Sequence, residues 1–173
     1  MKGQGCRVTS HDSNAAWLGG VPASDFAALD ALAVKLICLD SRFVAPLREM
    51  GRTVGDRIAS EQGESALTFE AALSRMFSAC GLEGVIESRF LHRNADGARL
   101  EITGCSERLG WEVPRIERTV CGFDAGLFEG FLRGATGEAW AAEEVVCLGL
   151  GHAYCEFVIH RDDTWEGIRH APS

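Results

Sequence analysis

Four residues in the last third of the chain carry side chains that bind metal ions: Cys121, Glu144, Cys147 and Cys155. The run Glu144-Val-Val-Cys147 leads into the glycine-rich stretch Gly149-Leu-Gly151, and Cys155 follows. Three thiols and a carboxylate supply the four donors that a tetrahedral ion such as zinc takes. The spacing alone does not settle the matter, because it lacks the paired C-x-x-C knuckles of zinc ribbons. Glu144 and Cys147 also lie an odd number of positions apart, so a regular strand would point them to opposite faces. A metal reading therefore requires a bulge, or an early end to the strand, near Val146. His152 offers a second ligand set with Cys147 and Cys155, in which Glu144 or Cys121 would drop out.

The remaining thiols read differently. The chain has seven cysteines, an odd number, and its first residues lack the apolar core of a signal peptide. Both features favour a reducing, cytoplasmic setting over a disulfide framework. Cys38 and Cys80 each end an apolar helical pattern and read as core. Cys105 closes a strand and stands behind four better-placed donors. Cys6, near the start, receives no role, and His160 reads as an exposed strand end.

The elements that must position these donors follow from periodicity. Ser24 can cap a helix with Phe26, Leu29, Ala33 and Leu36 inward. Val44, Leu47, Gly51, Val54 and Ile58 share one face of a second helix. Thr68 caps a third, with Phe69, Leu73, Met76 and Cys80 inward and Gly81 as its stop. The period then changes to two. Residues 85–92 and 99–104 flank Asn94-Ala-Asp-Gly97, a strong hairpin signal. Residues 105–120 read as irregular around Pro114. A fourth helix covers 121–134, and strands near 139–148 and 153–160 close the chain. The expected fold is α+β, with N-terminal helices packed on a small antiparallel sheet of about four strands. The glycine-rich helix lies between the two hairpins. Residues 1–20 form an extension, 21–162 a single domain and 163–173 a tail.

That fourth helix carries Gly122, Gly126, Gly130 and Gly134. Glycines four apart drift by only about 40° around a helix, so they form one bare stripe. Each costs about 0.8 to 1 kcal/mol relative to alanine. Either another backbone packs against the stripe or the stripe borders a ligand cavity.

Composition narrows the function classes. A net charge of −8, with 17 basic residues in no concentrated run, argues against nucleic acid as a partner. Arg89, His92, Arg93 and Arg99 read as the solvated tip of a hairpin. No apolar run reaches the roughly 18 to 20 residues of a membrane span. No nicotinamide or flavin fingerprint is present, and no catalytic residues are assigned.

Three segments together resemble the 4-vinyl reductase domain family: Cys121-Gly-Phe-Asp-Ala-Gly126-Leu-Phe-Glu-Gly130, Glu144-Val-Val-Cys147 and Gly151-His-Ala-Tyr-Cys155-Glu-Phe. That family is similar in fold to the haem-nitric-oxide-binding and TRAPP-subunit domains. The resemblance implies a zinc ion held by Cys121, Glu144, Cys147 and Cys155. Four protein donors close the site and leave no position for an activated water, so the ion would be structural. The resemblance further implies a sensor or carrier domain for a hydrophobic or aromatic small molecule, with an apolar pocket near the zinc. Other members imply a tetrapyrrole-biosynthesis reductase or accessory factor, or a dimerising interaction module of the TRAPP-subunit type. The expected assembly is a homodimer, with a signalling or pathway protein as a further partner. Trp111, just before Pro114, is the leading candidate for a ligand contact.

Overall fold

Apolar spacing gives the first half its helices. The structure, a computed structural model, describes residues 17–18, 21–63, 66–80, 87–94 and 96–162. A two-residue ladder pairs β1 (Trp17–Leu18) with β2 (Val21–Pro22), and α1 (Ala23–Leu39) follows. The side chains of Ser24 and Phe26 lie outside the described residues, as do the stop at Gly81 and the tail from 163 onward. Ala33, Val34 and Ile37 turn into the core. A 3₁₀ turn at Ser41–Phe43 leads to α2 (Val44–Glu61), which buries Leu47, Gly51, Gly55, Ile58 and Ala59. Thr68 caps α3 (Phe69–Ala79), its Oγ1 accepting the Ala71 amide at 3.3 Å. Phe69, Leu73 and Met76 face inward as their spacing predicts.

The second half is a four-stranded antiparallel sheet interrupted by helices. Strands β3 (Glu87–Asn94) and β4 (Gly97–Thr103) meet at the expected turn, where Asn94 Oδ1 accepts the Asp96 amide at 2.9 Å. Next come α4 (Cys105–Leu109), α5 (Gly122–Thr136), β5 (Trp140–Val146), a 3₁₀ turn at Leu148–Leu150 and β6 (Cys155–Arg161). The sheet order is β3-β4-β6-β5. Cross-strand partners share a face. Ala98, Ile159 and Ala142 therefore form one inward row, and Leu100, Phe157 and Glu144 the next. Phe69 stacks on Trp140 at 4.6 Å and ties α3 to this layer. The α+β expectation holds. No helix among the described residues is long and apolar enough to cross a membrane.

Two local expectations fail. Cys105 does not close a strand; it opens α4, a helix too short for periodicity to reveal. His160 is not exposed: it sits in the central strand β6 at 3% exposure, its Nδ1 2.7 Å from the Arg161 carbonyl. A strand flanked on both edges buries even its outward side chains.

The glycine stripe on α5 meets another backbone. A Cβ on Gly126 would lie 1.9 Å from the Arg48 carbonyl oxygen, and one on Gly130 would lie 2.0 Å from that of Arg52. The opposing helix contributes glycines of its own. Cβ atoms at Gly51 and Gly55 would lie 2.1 and 2.4 Å from the Phe123 and Leu127 carbonyl oxygens. Helices α2 and α5 thus cross at main-chain contact, and Phe123, Phe131 and Leu132 remain free to fill the core around them. Beside this seam, the buried carboxylate of Glu129 takes Arg48, Arg52 (Nε to Oε2, 2.6 Å) and the Ala142 amide (3.0 Å). Burial alone would raise the Glu129 pKa, but these donors outweigh it and hold the carboxyl below its ordinary range.

Candidate metal centre

The seam fixes the head of α5, and the site is assembled there. Cys121 is the N-cap residue of α5, and its amide donates to Glu144 Oε2 at 2.9 Å. Glu144 reaches inward from β5 because it shares the row of Phe157. The pairing then slips: Glu144 faces Phe157, but Val146 faces Glu156, the next residue along β6. Two steps on β5 thus match one on β6. This is the bulge that the odd spacing requires. Val145 is the extra residue, 40% exposed, and the parity change turns Cys147 back to the inner side with Glu144.

Cys147 caps the 3₁₀ turn, and its Sγ accepts the amides of Gly149 at 3.4 Å and Val120 at 3.3 Å. Gly149 cannot carry a side chain there, since its Cβ would lie 2.4 Å from the Arg118 carbonyl oxygen. Its own carbonyl accepts the amides of Ile116 and Glu117 at 2.9 and 3.0 Å. The irregular segment before α5 is thereby laced to the turn. Cys155, at the start of β6, completes the group.

One ligand atom from each of Cys121, Glu144, Cys147 and Cys155 lies within 4.8 Å of all the others. The Cys121 and Cys155 sulfurs are 3.6 Å apart, far beyond the roughly 2.05 Å of a disulfide. That separation is close to the edge of a zinc-thiolate tetrahedron, about 3.8 Å for bonds of about 2.3 Å. All three thiols are buried, and Glu144 Oε1 is buried with no hydrogen-bond partner. The charge balance is equally telling. Neighbouring Cys121 and Cys155 pull the Cys147 thiol down to about 2. Cys147 in turn pushes Cys121 well up, and Cys105, Cys121 and Cys147 push Cys155 up. Glu144 is raised well above the ordinary carboxylate range by burial and by the Cys147 charge beside it. The pocket accepts one negative charge and resists the rest. Four anionic donors can coexist there only around a cation. The donor set fits a metal ion.

His152 is exposed on the turn, its ring against Tyr154, and lies outside the gathered donors. Trp111 is half-buried against the core with the Lys35 ammonium 5.4 Å over its ring. Its indole Nε1 is buried without a hydrogen-bond partner. Directly beside the cluster lies a narrow apolar cavity of about 20 Å³, walled by Met76, Phe77, Leu127, Phe128 and Phe157, with Cys121 and Cys155 on its border. Sequence reasoning did not single out the Val120 and Gly149 amides. The glycine-rich turn was the signal that could have found the second of them.

Comparison with known proteins agrees with this arrangement. Residues 99–161 match the family model of the 4-vinyl reductase domain. An uncharacterized protein of Methanocaldococcus jannaschii is 39% identical over 51 residues, a match spanning 30% of this chain and 30% of that protein. The phenol-responsive sensory domain of the transcription activator PoxR, solved with phenol, superposes with a TM-score of 0.51 at 21% identity, covering 86% of this chain and 82% of that one. A trafficking protein particle complex subunit 3 from Naegleria fowleri, covalently bound to palmitic acid, gives a TM-score of 0.61 at 17% identity over 81% and 95% of the two chains. At such identities these two structures establish a shared fold. The family match spans the hairpin strands, the glycine-rich helix and all four donors, and the bulge brings Glu144 beside the cysteines. Residues 99–161 of this chain belong to the 4-vinyl reductase domain family.

Proposed function

We infer that this chain is a small-molecule-binding domain of the sensor or carrier kind, stabilised by a zinc ion and selective for a compact aromatic or hydrophobic ligand. The observation that carries this reading is the juxtaposition of a closed four-donor cluster with an apolar cavity bordered by two of those donors. Zinc held by Cys121, Glu144, Cys147 and Cys155 would supply a structural cross-link between the head of α5 and the last hairpin. The protein groups do the remaining work. The Val120 and Gly149 amides stabilise charge on the Cys147 sulfur, the Cys121 amide orients Glu144, and the seam holds the head of α5 in register.

The cavity holds about one water as folded, so a ligand must displace side chains to enter. Met76 is unbranched and adaptable, and Phe77 is half-buried, which makes this wall the natural door. An opening of that size suits a single ring better than a tetrapyrrole. Trp111 supplies an unused indole N–H for a ligand hydroxyl. Assembly as a homodimer is favoured by the exposed Leu32, Leu39 and Phe43 along the end of α1.

Calorimetric titration with phenol, cresols and indole, with metal content measured on the same sample, tests this reading. Saturable binding of at least one ring compound by metal-loaded protein, weakened by Met76→Trp, is expected. Absence of binding across the series would remove the sensor reading and leave the metal assignment standing.

A further inference from the structure

A thiol beside the gathered donors has no part in the clasp. Cys105 opens α4 immediately after β4 and is 4% exposed. Its Sγ lies 3.7 Å from the Ile102 carbonyl oxygen, and Ile102 is the cross-strand partner of Cys155. Paired residues in an antiparallel ladder stand about 5 Å apart, so the Cys105 sulfur is delivered to the end of β6 where Cys155 sits. Cys105, Cys121 and Cys155 line the same small cavity. Cys105 is also the first of the neighbours that push the Cys155 thiol up.

The two thiols nearest Cys155 differ in freedom. Cys121 is pinned at the head of α5, where the seam allows no shift. Cys105 rides on a five-residue helix bounded by Gly104 and Gly110, both at positive φ (78° and 66°). These glycines can absorb backbone rotation. Cys105 also stays unligated when the other three thiols hold a metal.

We propose that Cys105 and Cys155 form a redox pair, which a hydroperoxide converts to a disulfide, withdrawing one donor from the clasp and releasing its metal. The proposal rests on the metal assignment made above. In the first step the Cys155 sulfur attacks a peroxide oxygen, the O–O bond breaks, water leaves and Cys155 becomes a sulfenic acid. The Cys105 sulfur then attacks the sulfenic sulfur. The S–S bond forms, the S–O bond breaks, and hydroxide departs with the Cys105 proton as a second water. Two electrons pass from two thiols to one peroxide, so two thiols and hydrogen peroxide give one disulfide and two waters. The cavity, large enough for one water-sized molecule, admits hydrogen peroxide but not a bulky oxidant. A thiol reductant reverses the change.

The experiment uses the full chain loaded with zinc and treated with stoichiometric hydrogen peroxide. Released zinc is followed with a colorimetric chelator, and thiols are mapped by peptide mass spectrometry before and after. One zinc released per Cys105–Cys155 disulfide, with rebinding after dithiothreitol, is expected. The Cys105→Ala variant should release zinc about tenfold more slowly and accumulate sulfinic acid at Cys155. A dominant Cys121–Cys155 disulfide overturns the proposal, as does release from Cys105→Ala at the wild-type rate. If the variant fails to fold, the wild-type disulfide map decides alone. A chain that takes up no zinc before peroxide overturns the metal assignment instead, and the disulfide map still decides the pair.

Discussion

Two attachments hold α5, and they work by opposite means. The seam with α2 is made of missing side chains: Gly51, Gly55, Gly126 and Gly130 let two backbones touch, and every group involved is satisfied by the chain itself. The clasp at the head of the helix is crowded with donors, and its charges cannot all form without a cation. The seam is therefore complete when the chain folds. The clasp is conditional on solution chemistry. The same helix thus has a fixed body and a head whose hold depends on metal and, by the redox proposal, on peroxide. Such a division suits a domain that must stay folded while its cavity responds.

The largest expected effect breaks the seam. Gly126→Val places branched carbon where the Arg48 carbonyl already stands. It should cost about 5 kcal/mol or more, enough to unfold a domain of ordinary stability. Urea denaturation and the loss of near-ultraviolet circular dichroism would register it, with or without added metal.

Breaking the clasp should cost less and depend on metal. Cys147→Ser should lose zinc and stability together. At free zinc about a thousandfold above Kd, the stability lost is about 4 kcal/mol. A strong chelator should bring wild type down to the variant. Equal melting temperatures for wild type and variant in excess zinc would refute the structural role of Cys147.

Smaller still is the carboxylate that flanks the seam. Glu129→Gln removes the charge that Arg48 and Arg52 surround and should cost about 2 kcal/mol at neutral pH. Its pH dependence has a definite sign. The folded pKa of Glu129 is depressed, so its contribution is full above about pH 4.5 and fades as pH falls through the folded value. The stability gap between wild type and Glu129→Gln should narrow in acid. A gap constant from pH 7 to pH 3 would show that the charge contributes nothing. Smallest is the exposed pair Arg133–Asp56 at 2.8 Å, where Arg133→Ala should shift stability by no more than about 0.5 kcal/mol.

The same contrast explains what the sequence disclosed. The clasp was legible because cysteines are rare and chemically specific, and even its obstacle, the odd spacing of Glu144 and Cys147, named the bulge in advance. Half of the seam was legible. The α5 glycines stood out at four-residue intervals, but Gly51 and Gly55 read as an apolar face because their partners lie some 70 residues away and no local period joins the two sets. Glu129 was overlooked for the same reason, since Arg48 and Arg52 reach it only after folding. Short α4 left no period to detect, and the burial of His160 depends on sheet order, which pairs β6 with β4 across the intervening α5 and β5. Local chemistry travels in the sequence. Long-range complementarity does not.

The central claim is that one metal ion is held by three sulfurs and one carboxylate oxygen. X-ray absorption at the zinc edge of the purified, metal-loaded chain tests it most directly. The account predicts one zinc per chain with about three sulfurs at about 2.3 Å and one oxygen at about 2.0 to 2.2 Å, and loss of one sulfur from the shell in any Cys147→Ser protein that still retains metal. A shell with an imidazole in place of the oxygen, or no bound metal at saturating zinc, would contradict it.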